Sequence, residues 1–363
     1  MKRIITFGEI MMRIAPKGHL RFKQCLPGEV DITFSGAEAN VAASIAILGG
    51  RASFVSALPN HTIADTCIAL LKGLDVDTNY ILRSNHGRLG IYFLETGANQ
   101  RPSNVIYDRE SSTIFQTKYI EFPWDEIFSN AIWFHISGIT PALSAVAAET
   151  CLYAVQKAKE LNIQVSCDLN YRKKLWQWDS SKSPKELAQI TMRKILPFVD
   201  LIIGNEEDAS DILDIHAGES DASKGLLDIK NYKNVAIQII NQFPNISQVA
   251  ITLRESISAT HNNWGAMLYN AKNNSFVFAP SDNSGYAPYQ IHHIIDRVGG
   301  GDSFAAGLIF ALNTPELSEQ SKAIFFAVAA SCLAHSIKGD FNFSTRSEVE
   351  ALMNGASSGR VVR

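Results

Sequence analysis

Asp296-Arg297-Val298-Gly299-Gly300-Gly301-Asp302-Ser303-Phe304-Ala305-Ala306-Gly307 is the stretch on which the reading of this chain turns. Three consecutive glycines end at an aspartate, and apolar residues of helical spacing follow at Phe304, Ala305, Leu308, Ile309 and Leu312. A Gly-rich turn that opens a helix leaves several backbone N–H groups free and aimed at one point. With the helix dipole behind them, they make an anion site. Asp302 stands at the mouth of that positive hole, where a carboxylate is out of place unless it handles protons. The stretch therefore predicts amides at Gly299, Gly300 and Gly301 that hold a phosphoryl group in transit, with Asp302 deprotonating the attacking hydroxyl. An ordinary loop with Asp302 or Ser303 as helix N-cap has the same composition. It is not a Walker A loop, because no Lys-Ser/Thr follows the last glycine. Nor is it a dinucleotide fingerprint, since Asp302 follows the glycines directly and late in the chain.

Around this stretch, the 363 residues are enough for a large core, either as two domains or as one α/β domain with a small appendage. A hydrophobic content of 46%, 19% charged residues and a net charge of −3 give no basic field for nucleic acid or an anionic membrane. Cys25, Cys67, Cys151, Cys167 and Cys332 are odd in number, far apart and without a Cys-x-x-Cys pair, so reduced thiols of a cytoplasmic protein are expected. Met1-Lys2-Arg3 mimics a signal peptide, but Glu9 and Arg13 interrupt the apolar run, which reads as a first strand. Ala323–Ala334 is apolar yet shorter than the about 20 residues a membrane span needs, and suits a buried helix.

Taken in order, short strands at Arg3–Phe7, Ser53–Ala57, Ala131–Ile136, Val165–Leu169, Leu201–Ile203 and Val249–Leu253 alternate with helical patterns at Val41–Leu48, Ile63–Leu71 and Ala145–Leu161. The long helices Ser303–Leu312 and Ser321–Ala334 close the series. Two excursions break the alternation, Met12–Phe34 and the β-hairpin texture between Tyr80 and Ile120. Together they predict a small β lid from about 11–35 and 86–120. Asp214–Asn234 reads as a polar surface loop or exposed helix, and 346–363 as a C-terminal tail after a single domain over 1–345. The fold class is α/β: a mostly parallel central sheet flanked by helices, with ligands at the strands' carboxyl ends. Asp168-Leu169-Asn170, Gly204-Asn205 and Thr252-Leu253-Arg254 sit at or just past such ends and outline an edge where a site would be built.

The glycine stretch resembles the Asp-x-x-Gly-x-Gly-Asp motif of the PfkB (ribokinase-like) sugar kinases, whose last Asp is the catalytic base. Gly36-Ala37-Glu38-Ala39-Asn40 resembles the family's Gly-Gly-x-x-x-Asn, with Ser35 in place of the first glycine, and implies that Gly36 and Asn40 lie against sugar hydroxyls. Asn205-Glu206-Glu207-Asp208 resembles Asn-x-x-Glu, with Asp208 in the last place, and implies that Asn205 and Asp208 organise Mg²⁺ for ATP through water. The bland reading of that run is a solvated, acidic helix start. Thr252 and Arg254 stand where the family contacts nucleotide, although Arg254 replaces its glycine. A monovalent cation near Asp296 is a further option that the resemblance opens. Lys338-Gly339-Asp340-Phe341 falls near the family's adenine pocket without an assignable role.

Tyr107-Asp108-Arg109 and Asp168-Leu169-Asn170-Tyr171-Arg172 resemble the segments with which 2-keto-3-deoxygluconate kinases meet an acid sugar, Tyr92 completing the pocket. An arginine fork grips a carboxylate bidentately, and a neutral sugar has no need of it. Arg109 as a surface residue, and Arg172 paired with Asp168 or with phosphates, are the alternatives. The expectation is thus an ATP-dependent 2-keto-3-deoxygluconate kinase, homodimeric through its lid. The rivals are a fructokinase or ribokinase type, a nucleoside kinase, and a catalytically silent sugar-binding regulator.

Overall fold

The computed structural model describes residues 3–216 and 229–356. Its centre is a large sheet in the order β13-β12-β11-β10-β9-β8-β1-β4-β5. In chain order these strands are β1 (Arg3–Phe7), β4 (Ala52–Pro59), β5 (Ile81–Ser84), β8 (Ala131–Ser137), β9 (Gln164–Asp168), β10 (Leu201–Gly204), β11 (Gln248–Ser258), β12 (His261–Asn270) and β13 (Ser275–Ala279). From β11 across to β5 every pairing is parallel, and β12 and β13 add an antiparallel hairpin at one edge, with Tyr289–Ile291 also pairing β12.

Helices cover both faces, so the inner strands are apolar on both sides. Along β1, Ile5 and Phe7 join one core and Ile4 the other; along β10, Ile202 parts from Leu201 and Ile203 in the same way. The Gly300–Leu312 helix is buried almost throughout and packs between the Ala37–Ile47 and Gln320–Ala334 helices. Gly307 permits that closeness, because a Cβ there would come within 3.0 Å of the Ala327 Cα. No described helix is long and apolar enough to cross a membrane.

The second sheet is the expected lid, in the order β3-β2-β6-β7 from β2 (Met11–Ala15), β3 (Asp31–Ser35), β6 (Gly90–Glu95) and β7 (Asn104–Asp108). Its boundary is tighter than the sequence suggested. Beyond Asp108 the chain turns back onto the main body through short helices at Thr113–Gln116 and Tyr119–Glu121, and Ile114 and Phe122 are buried in the central core. Two more expectations change. Ile229–Gln242, partly assigned to a polar surface segment, is an amphipathic helix whose Tyr232, Val235, Ala236 and Ile239 are buried; residues 217–228 lie outside the described part. The presumed tail starts with an Arg346–Met353 helix, capped by Thr345 and anchored by the fully buried Val349.

Candidate active site

Gly299 sits in the left-handed region, φ +83°, and a Cβ on it would lie 2.3 Å from the Asp340 carbonyl oxygen. Only glycine fits there. The Gly300–Leu312 helix then begins without a side-chain cap, so its first N–H groups are left for a ligand. Asp302 is its third residue, buried, and accepts a hydrogen bond from Asn40 Nδ2 at 2.6 Å. Burial pushes its carboxyl up to about 7. The Asn40 bond opposes that shift, the Asp340 and Glu38 charges add to it, and Arg172 opposes it. A carboxylate poised near neutrality is suited to taking a proton from an alcohol.

Asn40 is aimed by its own helix, Ala37–Ile47. Gly36 caps that helix where a Cβ would meet the Glu9 carbonyl oxygen at 1.9 Å, so this corner too requires glycine. Glu38, in the first turn of that helix, is buried and accepts from the Ser137 N–H, the Ser137 hydroxyl and the Thr140 hydroxyl. Those bonds tie the helix to the end of β8.

Every candidate residue named from the sequence except Asp296 lines one cavity of about 480 Å³ at the carboxyl ends of the central strands. Asn170 has φ +39° and donates to Asp168 at 3.3 Å, while its own Oδ1 is buried without a partner among the described residues and can accept from a ligand hydroxyl. Arg172 is exposed at the cavity mouth; it donates to the Tyr171 carbonyl and forms no direct ion pair with Asp168. Thr252 is buried at the end of the parallel part of β11, and Arg254 is exposed just beyond it.

The acidic run Asn205–Asp208 is the capped start of the Glu206–Leu213 helix, with Glu207 exposed and Asp208 turned inward. Asp208 is buried, accepts from the Tyr171 and Asn205 N–H groups, and exchanges the second capping bond with Asn205 Oδ1. Burial pushes the Asp168 carboxyl up, and the charges of Asp208 and Asp302 push it further, so three carboxylates crowd one space. Among the described residues no set of three or more His, Cys, Asp or Glu side chains is arranged to hold a metal ion alone. Magnesium needs only one or two carboxylates besides phosphates and water, and a dication would relieve this repulsion. The donor set fits it.

The lid supplies the opposite wall. Cross-strand pairing lines up Arg13, Tyr92 and Tyr107 in one row, of which Tyr92 and Tyr107 line the cavity and Arg13 is buried behind it. Arg109 is not a surface residue: it is 5% exposed, its Nε donates to Glu9 Oε2 at 2.7 Å, and its Nη2 pairs with the same oxygen. Its guanidinium also stacks over Tyr107 at 5.6 Å. Glu9 thus meets Arg109 through one oxygen only, and the Nη2 of the fork has no hydrogen-bond partner among the described residues.

The sequence reading missed the group beside the glycines. Arg13 is buried with Nη2 on Asp296 Oδ2 and Nη1 on Asp340 Oδ1. Asp340 also accepts from the Ser35 hydroxyl and from the Tyr92 hydroxyl, the latter at 2.6 Å. Asp296 takes the Val298 N–H on Oδ1 at 3.2 Å and the Gly339 N–H on Oδ2 at 3.3 Å. Near Asp296, where the resemblance opened a monovalent cation, the positive charge is supplied by the Arg13 guanidinium. Arg297, Trp264 and His335 were missed as well. His335 donates from Nδ1 to the Ser331 carbonyl, lies against Trp264 at 5.2 Å, and burial depresses it to about 4, so it is neutral.

A family model described as pfkB family carbohydrate kinase matches residues 1–345. The chain is similar to a crystal structure of 2-dehydro-3-deoxygluconokinase from Thermotoga maritima, with 42% identity, TM-score 0.86, and 98% of this chain and 100% of that one covered. It is 29% identical to the 2-dehydro-3-deoxygalactonokinase of Haloferax volcanii over 98% of both chains. A fructokinase from Xylella fastidiosa with bound ATP shares the fold at 20% identity and TM-score 0.74, over 98% of this chain and 99% of that one.

Proposed function

The chain belongs to the pfkB family of carbohydrate kinases, and from that premise we propose that it transfers the γ-phosphoryl group of ATP to the primary hydroxyl of 2-keto-3-deoxygluconate, giving the 6-phosphate and ADP. The observation that carries this reading is Asp302, a buried carboxyl near neutrality at the open end of a glycine-started helix. Asp302 takes the proton of the sugar hydroxyl as its oxygen bonds to phosphorus, and the bridging P–O bond to ADP breaks. The N–H groups of Gly299–Asp302 receive the charge on the transferred group. Magnesium arriving with ATP would neutralise charge between its phosphates, held through water by Asp208 and Asn205. In this reading Arg254 and Thr252, which line the cavity, would meet the nucleotide, and Tyr107, Arg109 and Asn170, which line it as well, would meet the sugar.

The acid-sugar assignment is supported by the names of the two relatives above and by Arg172, an exposed cation at the cavity mouth. A neutral-sugar kinase is the second reading, favoured by one observation: Glu9 already neutralises Arg109. A coupled ADP-release assay over 2-keto-3-deoxygluconate, its galactonate epimer, fructose and ribose distinguishes them. Turnover confined to the keto-deoxy acids supports the first reading, and turnover on fructose or ribose alone supports the second.

The lid also supports a homodimer. Ile32, Ile14, Phe93 and Ile106 form one apolar row across all four strands on the face turned from the cavity, with Ile32 57% and Ile106 52% exposed. A second copy of the same face would cover it. Light scattering at micromolar concentration tests this, and a monomer there refutes it.

A further inference from the structure

Arg13 is a full cation in a place with almost no water, its side chain 4% exposed against 3% for Asp296 and 1% for Asp340. Burial alone would make the guanidinium easier to deprotonate, but Asp340 and then Asp296 more than offset that, so it stays charged. Its two partners frame the phosphoryl-accepting loop from both sides. Asp296 opens that loop and fixes its first turn through the Val298 N–H. Asp340 presses its backbone carbonyl against Gly299. Without a cation between them, two buried carboxylates would repel each other across the loop, and both would add to the negative field at Asp302.

We propose that Arg13 is the resident monovalent cation of this active site: carried in on the lid strand β2, its guanidinium neutralises Asp296 and Asp340 and sets the shape of the Gly299–Asp302 loop, so that no alkali-metal ion is needed there. Arg13 acts through that loop and touches no reacting atom, so it is a positioning residue. The same contact fixes one corner of the lid to the main body. Inner-face neighbours Tyr92 and Ser35 complete the arrangement by donating to the remaining oxygen of Asp340. The inference rests on the proposed phosphoryl transfer but not on which sugar is taken.

The test uses the whole protein in alkali-free buffer, with KCl titrated against tetramethylammonium chloride at constant ionic strength. Wild-type kcat should change less than about twofold up to about 100 mM K⁺, since only general screening varies. Arg13→Met should lose kcat by about 100-fold through misplacement of the loop, with KM for the sugar nearly unchanged. K⁺ or methylguanidinium should return about a tenth or more of that loss and raise the Tm of the variant above its value in tetramethylammonium. Arg13→Lys, which keeps the charge, should retain about tenfold more kcat than Arg13→Met.

A wild type that requires K⁺ overturns the inference without any variant, which covers the case in which Arg13→Met does not fold. It is also overturned by a folded Arg13→Met with wild-type kcat, by loss that no cation rescues, or by equal loss in the Lys and Met variants. Should the protein phosphorylate no sugar at all, the reaction reading fails. The K⁺-specific Tm shift of Arg13→Met, absent from wild type, would still report on the cation site.

Discussion

Along β8, Phe134 and Ile136 bury on one side of the central sheet and Trp133 on the other. Along β2, Met11, Arg13 and Ala15 are buried toward the cavity, while Met12 and Ile14 are only half-buried on the other face. The central sheet thus uses both faces for apolar packing and contributes to the site only at its strand ends. The lid uses one whole face for the site, with Arg13, Tyr92 and Tyr107 in a row, and leaves an apolar row on the other. In the first region, polar chemistry follows where strands stop; in the second, it follows the two-residue alternation of the strand itself. Register decides the role of a charge in the lid: Arg13 is buried on the inward side, while Asp108, in the opposite register of β7, pairs with Arg88 away from the cavity.

The most severe way to break this division is at the strand-end and helix-end chemistry. Asp302→Asn keeps an oxygen for Asn40 but removes the proposed base, and kcat in the ADP-release assay should fall by about 100- to 10,000-fold. The fold should not suffer. A carboxyl raised from its unfolded value of 3.8 to about 7 contributes stability that is present below pH 4 and lost as pH rises to 7. Melting curves from pH 4 to 8 should therefore show Asp302→Asn gaining on wild type, and a parallel loss in both proteins would contradict the burial described.

Next in size is the contrast between two arginines. Arg109→Ala strands the buried Glu9 carboxylate between β1 and β2 and should lower stability by about 3–5 kcal/mol in urea unfolding. Arg172→Ala, exposed at the cavity mouth, should leave the urea midpoint unchanged. It should raise KM for the keto-deoxy acid about 10- to 100-fold. If Arg109→Ala instead changes KM alone, its pairing with Glu9 is not what holds it.

A smaller effect is the pH dependence of the intact enzyme. With the base near 7, log kcat/KM should rise with unit slope below that value and level above it, and Asp302→Asn should lack the rise. The least effect on catalysis is expected from Ile106→Arg on the outward lid row. It should shift the proposed dimer toward monomer in light scattering while kcat per chain stays within about threefold, because the exposed face of β7 is turned from the cavity.

These contrasts also explain what could be read from the sequence. The parallel sheet, the helices and the two lid segments were legible because periodicity and glycine punctuation are local signals. Asp302 and its glycines were legible because the whole motif is contiguous, and the same holds for Gly36 with Asn40. Arg13, Glu9 and Asp340 were not, because each takes its meaning from a partner about a hundred or more residues away. A signal existed for Arg13, which shares the inward register of Met11 and Ala15 on a strand whose other face is apolar. Arg109 was placed correctly in the cavity, but its ion pair with Glu9 cannot be inferred from spacing alone. The boundary of the lid was set too wide because Thr113–Glu121 has the polar texture of a lid yet buries Ile114 and Thr117 against the main body.

The lid is assembled from two hairpins that meet only where β2 runs parallel to β6, Met11 opposite Gly90. Between them in the chain lie the Ala37–Ile47 helix, β4 and β5, all seated in the central sheet or on it. The β2–β6 ladder can therefore close only after that intervening core has formed, so it should be late in folding. It should also be early in opening. In native-state hydrogen exchange, amides of β2 and β6 should exchange through a partial opening that spares β1 and β8, leaving the lid less protected than the central sheet.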